Sequence, residues 1–304
     1  MSKPTLLLSL GIGWCATSPL RFTLQRTYHY THTGWIKEPH YLNQLDLNAH
    51  PTQRKKHHNN LVNVATIGVD KYHPRLAKTL SPNTIPFYER FASYPLSIDK
   101  YISYFKAIHE SVKDTYKTVA DFSTNNHTLS QSAVEKYLPI LQEHFNVKPF
   151  IILRDPVRRS WSEYNHRYYN LKLGGSSTCT EYFLNNLTSS SSSQYMDVIN
   201  LWEKYSELGV FVMEDLWDNN NLQPLRDFFE YPFTSLHPNA YSPDRGPYVK
   251  KGIRDLSDQW GSDHELLTEE TYNTAKSLIQ HVYDQWVDKY KSLPLYWGSP
   301  LKYS

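Results

Sequence analysis

An arginine, an aspartate and a proline directly follow an apolar run in Phe150-Ile151-Ile152-Leu153-Arg154-Asp155-Pro156-Val157-Arg158-Arg159-Ser160-Trp161-Ser162-Glu163-Tyr164. Pro149 to Leu153 reads as a strand, Asp155 is suited to cap a helix, and Pro156 fits the first helical position. Arg154 then falls at the carboxyl end of a strand, where open α/β sheets bind their ligands, and Ser162 lies two helical turns past the cap. A planar guanidinium fork and a hydroxyl so placed can hold one phosphate from two sides. A capped helix bearing surface arginines would present the same residues without any ligand.

A second strand-to-helix junction spans Gly11 to Leu20. Thr5 to Leu10 reads as a buried strand, Gly11-Ile12-Gly13 breaks it, and Thr17-Ser18-Pro19 signals a helix start. Glycines let the backbone approach an anion, and the N–H groups and dipole of a helix start favour negative charge. Thr17 and Ser18 add hydroxyl donors. The loop lacks the Gly-Lys-Ser/Thr ending of a nucleoside-triphosphate loop, so by itself it also reads as a plain structural turn.

The elements that must position these groups follow from periodicity. A strand is predicted near Gly34 to Lys37 and an exposed loop from Gln53 to Asn60. Ile98, Tyr101, Ile102, Phe105 and Ile108 form a helical stripe, Lys117 to Phe122 a strand, and Val134, Tyr137, Leu138, Leu141 and Phe145 the next helix. Val198, Leu201, Trp202 and Tyr205 suggest a helix, Val210 to Met213 a strand, and Leu222 to Phe229 a helix. Ser189 to Ser193 reads as a mobile low-complexity loop, and Tyr272, Ala275, Ile279, Val282 and Trp286 as one long helix. The alternation predicts an α/β fold with a central parallel sheet and helices on both faces, in one domain over 1–304 with insertions near 46–95 and 170–195.

Composition narrows the function classes. The 304 residues carry a net charge of only +2, which argues against a nucleic-acid partner. The charge is uneven: residues 1–60 hold seven Lys/Arg against Glu38 and Asp46, whereas residues 195–235 hold eight acids against Lys204 and Arg226. A basic N-terminal part suits an anionic ligand, or simply a solvated face. Mean hydropathy is −0.61, and the run Thr5 to Ile12 is far too short to span a bilayer, so no membrane association is expected. Cys15 and Cys179 show no metal spacing, His57-His58 lack ligand-spaced partners, and the expected compartment is a reducing cytoplasm.

The block around Arg154 resembles the 3′-phosphate motif of sulfotransferases that use 3′-phosphoadenosine 5′-phosphosulfate (PAPS). Leu6 to Leu20 resembles the family's 5′-phosphosulfate loop, and Trp35-Ile36-Lys37-Glu38-Pro39-His40-Tyr41-Leu42 the acidic-then-aromatic segment of its glycan-modifying branch. Thr118 to Thr124 is similar to its central strand, and Lys250-Lys251-Gly252-Ile253-Arg254 to its late nucleotide-covering loop. The absence of a membrane anchor is more like a bacterial or viral relative, for which a viral source would mean the host cytoplasm. The resemblance implies a P-loop-like sulfotransferase fold, PAPS as donor with 3′-phosphoadenosine 5′-phosphate (PAP) as product, and no metal. The acceptor would be a hydroxyl or amine, with carbohydrate the class suggested. Oligomeric state is not implied.

Carried over by position, Arg154 and Ser162 would bind the 3′-phosphate with Arg159 in support. Gly13, Trp14, Cys15, Ala16, Thr17 and Ser18 would wrap the 5′-phosphosulfate, and Lys251, Gly252 and Arg254 would cover the nucleotide. Glu38 falls where the resembled branch keeps its general base, with Asp121 and His40 next in line. One departure is serious: the family's loop lysine is here Trp14, whose indole donates one hydrogen bond but carries no charge. Lys37, Arg21, Lys251 and His40 are the candidates to supply that charge, Lys37 first. A noncatalytic PAP- or PAPS-binding protein and a nucleotide phosphotransferase are the rival expectations.

Overall fold

The computed structural model describes residues 3–36, 38–48, 82–217, 220–236, 267–294 and 296–299. In chain order the principal elements are β1 (Thr5–Gly11), α1 (Thr17–Phe22), β2 (Thr31–His32), α2 (Tyr41–Leu45), α3 (Ile85–Ala92), α4 (Ile98–Val112), β3 (Thr118–Asp121), α5 (Gln131–His144) and β4 (Asn146–Leu153). They continue with α6 (Pro156–Asn165), α7 (Cys179–Asn186), α8 (Tyr195–Glu203), β5 (Gly209–Val212), α9 (Met213–Trp217), α10 (Gln223–Phe229), α11 (Glu269–Leu278) and α12 (Gln280–Tyr290). The strands form a central parallel sheet flanked by helices, in the order β2-β3-β1-β4-β5.

The described residues group into two compact units. One takes residues from 1–11, 21–151 and 201–209. Its centre is β1, whose Leu6, Leu7, Leu8 and Leu10 are all fully buried, as a strand covered on both faces requires. β1 pairs in parallel with β3 from Thr5↔Thr118 to Leu8↔Asp121, and with β4 from Thr5↔Asn146 to Gly11↔Ile151, with a register shift between Ser9 and Gly11. α4 starts at Ser97, whose side chain accepts the Lys100 N–H, and buries Tyr101, Ile102, Tyr104, Phe105, Ile108 and Val112. Ser130 caps α5 in the same way and is itself fixed by Asp46.

The strand predicted at Gly34 to Lys37 is not formed over its described part; the strand is instead β2, earlier in the chain. Gly34 has φ +68, and a side-chain carbon there would lie 2.4 Å from Ile108 Cδ1 and 2.6 Å from the Tyr104 hydroxyl. The chain turns beneath α4 at that point, and only glycine fits.

Gly11 is equally constrained. At φ +81 its added Cβ would stand 2.3 Å from the Thr124 backbone, whereas Gly13 has nothing within 4 Å. Gly11→Ala is therefore expected to lower the thermal unfolding midpoint sharply or to prevent folding, and Gly13→Ala to shift it by only a few degrees. Equal midpoints for the two variants would contradict this reading of the β1 terminus.

The second unit takes residues from 12–20, 152–200 and 210–304. Two expectations fail within it. The predicted C-terminal helix is divided into α11 and α12 at Ile279, whose φ of −122 and ψ of 26 interrupt the helix while its side chain stays buried. The serine run is not a mobile loop but two short 3₁₀ turns, Leu187–Ser189 and Ser191–Gln194, with Ser190 and Ser192 buried. Low complexity suggested mobility, but hydroxyls can be buried when they bond one another.

Candidate functional site

The candidate anion site belongs to the second unit. Asp155 caps α6 by accepting the Arg158 N–H at 3.0 Å, with Pro156 in the first turn as expected. Its other carboxylate oxygen accepts from the Tyr272 hydroxyl at 2.9 Å, the Tyr283 hydroxyl at 3.1 Å and the Gly298 N–H at 3.1 Å. A buried carboxylate is stabilised by just such a set of donors. Asp155 thereby ties α11, α12 and the segment after them to the Arg154 turn.

Arg154 is 8% exposed, and its Nη1 donates to Ser162 Oγ at 2.9 Å. Its carbonyl accepts from the buried Tyr195 hydroxyl at 3.1 Å. Its Nε is buried without a hydrogen-bond partner, and among the described residues Arg154 makes no ion pair with a carboxylate. Arg159 differs: it pairs with Glu163, donates to Ser190 Oγ at 2.9 Å and donates through Nε to the Gly13 carbonyl at 3.0 Å. Arg159 thus fastens the first loop to α6, and the Ser160–Ser190–Ser192 hydroxyl network holds α6 from behind. Sequence reading missed this network because its serines were set aside as low complexity.

The loop from Ile12 to Ala16 has an unusual backbone. Ile12, Trp14 and Ala16 have φ of 68, 73 and 58, alternating with Gly13 and Cys15, which do not. Alternation of hand along a loop turns successive N–H groups toward one side and makes an anion-binding concavity. Left-handed geometry costs an L residue about 1–2 kcal/mol, most for a branched one. Fully burying a side chain such as Ile12 returns about 1.5–3 kcal/mol; Ile12 and Cys15 are both fully buried, so they hold the loop in place. Burial raises the Cys15 thiol to about 11, against the lowering influence of Arg159 and Arg154, so it remains a neutral packing group 3.9 Å from the Tyr195 hydroxyl. Trp14 lays its ring 5.0 Å from that of His166. Thr17 is 5% exposed.

Glu214 is a second residue that sequence reading did not single out. It is fully buried just after β5, accepting from the Asp155 N–H at 3.0 Å and the Trp297 indole N–H at 3.1 Å. Burial raises its pKa to about 7, the nearby Arg154 opposing that rise. Its folded pKa lies above its unfolded value of 4.5, so its contribution to stability is present below pH 4.5 and is lost as pH rises through about 7. Across that window the loss is about 3 kcal/mol. Chemical denaturation between pH 4 and 8 is expected to show a flatter profile for Glu214→Gln than for the parent, and parallel profiles would contradict the assignment.

In the first unit, Glu38 Oε2 accepts from Thr124 Oγ1 at 3.3 Å and lies 3.5 Å from His40 Nε2. The Glu38 side chain is 27% exposed, so its carboxylate can meet a solute. His40 has φ +48 and donates its backbone N–H to Ser123 Oγ at 2.8 Å. Asp121 is fully buried and accepts from the Tyr101 hydroxyl and the Ser123 N–H, both at 2.8 Å, while burial raises its pKa. It is occupied as a structural acceptor and gives a poorer base than Glu38.

Of the residues expected in the site, Arg154, Arg159, Ser162, Gly13, Trp14, Cys15, Ala16, Thr17 and Ser18 fall in the second unit, and Glu38 and His40 in the first. Lys37, Lys251, Gly252 and Arg254, with His57 and His58, lie outside the described residues. Among the described residues, no helix is long and apolar enough to cross a membrane, and no group of three His, Cys, Asp or Glu residues is arranged for a metal ion.

No protein-family profile matches the chain, and neither does any curated protein. Its fold is similar to that of a sulfotransferase from Alicyclobacillus acidocaldarius, with a TM-score of 0.54 at 12% identity over 97% of this chain and 98% of that one. The sulfotransferase domain from the curacin biosynthetic pathway matches with a TM-score of 0.46 at 16% identity, over 91% of this chain and 98% of that one. The first likeness, with the central parallel sheet, shows the α/β sulfotransferase fold.

Proposed function

We propose that the chain is a sulfotransferase that takes PAPS as donor and a hydroxyl or amine, in the glycan-modifying case a carbohydrate, as acceptor. The observation that carries this reading is Arg154: a buried guanidinium with a hydroxyl partner, an unpartnered Nε and, among the described residues, no carboxylate within ion-pair distance. Such a group fits a phosphate, because a bidentate anion satisfies the free donor and balances the charge.

PAPS supplies an activated sulfuryl group, whose bond to the 5′-phosphate breaks as the acceptor oxygen or nitrogen bonds to sulfur. Arg154 and Ser162 hold the 3′-phosphate. Ser162 Oγ now donates to the Arg158 carbonyl at 3.0 Å, so a phosphate oxygen competes with that carbonyl for the hydroxyl proton. Backbone N–H groups and hydroxyls from Gly13 to Ser18 receive the 5′ end, and Arg159 fixes that loop through Gly13. Glu38 takes the acceptor proton. Lys251, Gly252 and Arg254 cover the nucleotide, and Lys37 and Lys251 are candidates for the charge that Trp14 lacks. Residence in a reducing cytoplasm accords with two buried thiols, Cys15 and Cys179.

The test is mass spectrometry of a cell-extract acceptor pool incubated with the protein and PAPS, in which sulfated products are expected to accumulate. Trp14 favours one alternative: tight PAP binding without any transfer would make this a noncatalytic binding protein. A phosphotransferase is disfavoured by the loop's missing Lys-Ser/Thr ending.

A further inference from the structure

β5 stands at the edge of the sheet, and its two faces meet different surroundings. Phe211 packs on one side, its ring 5.7 Å from those of Phe228 and Phe229 on α10. Val210 and Val212 face the other way, as alternation along a strand requires, and there they line an open slot of about 380 Å³. That volume falls in the range of about 300–1,000 Å³ typical of small-molecule sites. Trp286 and Tyr290, one helical turn apart on α12, line the same slot with rings 4.3 Å apart at 36°. Trp297 backs the Trp286 ring at 4.7 Å, so the aromatic surface is fixed in place. Asp215, just past the carboxyl end of β5, adds a carboxylate and Ser292 a hydroxyl. Among the described residues no Lys, Arg or His lines the slot: Lys289 donates to Asn200 Oδ1 at 3.0 Å and Lys291 to the Asp288 carbonyl at 2.7 Å. All of these residues belong to the second unit, and none of the lining residues is among those assigned to the donor nucleotide.

We infer that this slot binds a small organic cation, an alkylated ammonium ion, as a second ligand site that does not depend on the sulfotransferase reading. Three features of its lining attract positive charge. The Asp215 carboxylate stands among apolar walls, where a countercharge acts more strongly than in water. The rings of Trp286 and Tyr290 offer the negative faces of their π systems. Tyr290 is also the last residue of α12, which Lys291 ends at φ 69, and the carbonyl end of a helix favours a cation. The surrounding charge has the same sign, since residues 195–235, which supply Val210, Val212 and Asp215, hold eight acids against two bases. The walls also select among cations. A bare ammonium needs an acceptor for each of its three protons, and the slot sets only Asp215 and Ser292 beside valine and aromatic carbon. Alkyl groups on nitrogen replace those protons, spread the charge over carbon and pack against that surface. A neutral guest would shield the carboxylate from water without replacing its hydration.

The experiment titrates the parent with choline and, separately, with 3,3-dimethylbutan-1-ol, which has the same shape with carbon in place of the charged nitrogen. Binding is read by saturation-transfer NMR on the methyl groups and by tryptophan fluorescence. Choline is expected to bind saturably and about 10-fold or more tightly than the alcohol, because only choline gains the carboxylate and ring contacts that depend on charge. Asp215→Asn keeps the shape of the slot and is expected to weaken choline about 10-fold while leaving the alcohol unchanged; Tyr290→Leu removes one ring and is expected to weaken choline about threefold or more. Thermal unfolding of each variant verifies that it is folded, and the comparison of choline with the alcohol on the parent decides the matter if neither variant folds. Equal affinity of the parent for the two probes, or binding of neither, would overturn the inference. So would parental choline affinity in both folded variants, since the cation would then bind elsewhere.

Discussion

Arg154→Ala binds PAP at least about 10²-fold more weakly than the parent in calorimetry while remaining folded. The side chain offers a buried charge whose Nη1 rests on Ser162 and whose Nε is unpartnered. A phosphate bound there gains a charge-assisted, two-pronged contact in a site shielded from water, and each such bond contributes about 1.5–3 kcal/mol. Loss of the pair accounts for the expected factor, since each 1.4 kcal/mol is tenfold. Ser162→Ala is milder, about 10-fold, because it removes one neutral hydroxyl and leaves the guanidinium. Folding survives in Arg154→Ala because the change leaves the Asp155 cap and its four donors in place. A folded Arg154→Ala with parental PAP affinity would remove the basis for the nucleotide assignment.

Glu38→Gln loses turnover by about 10²-fold or more and keeps PAP affinity within about twofold. General-base catalysis contributes about 10²–10⁴-fold, and glutamine keeps the shape and the Thr124 contact but cannot accept a proton. The nucleotide contacts proposed here belong to the other unit, so binding and chemistry separate in the variant. Single-turnover measurement at saturating PAPS reads the chemical step. Parental rates for Glu38→Gln would move the base elsewhere, with His40 the next candidate.

Much of the fold was legible because its signals are local. The continuous apolar runs of β1 and β4 have few other solutions, and Asp155 caps its helix as its residue type suggests. The Arg154 block was legible for the same reason: strand, cap, proline and serine lie within one short stretch. The shortfalls come from contacts distant in sequence. Gly34 turns because α4 crosses it, so the strand sits at Thr31–His32; the serine run is ordered because Ser160 and Arg159 hydrogen-bond to it. Ile279 divides a helix whose apolar stripe reads as unbroken, because the stripe continues on both sides of a single non-helical residue. The left-handed conformations of Ile12, Trp14 and Ala16 had no residue-level signal, since glycine is the usual marker and stands at none of the three. Nor could the spacing show that Arg154 is buried with no carboxylate within ion-pair distance among the described residues; that depends on which acids the fold brings near.

The proposed 3′-phosphate seat is formed by Arg154 and Ser162. It is tested most directly by titrating the parent, in one calorimetric series at fixed salt, with PAP and with adenosine 5′-monophosphate, which lacks the 3′-phosphate. PAP is expected to bind about 10²-fold or more tightly than adenosine 5′-monophosphate, and Arg154→Ala to erase most of that difference. Equal affinity of the parent for the two nucleotides, or a preference for PAP that persists in Arg154→Ala, would contradict it.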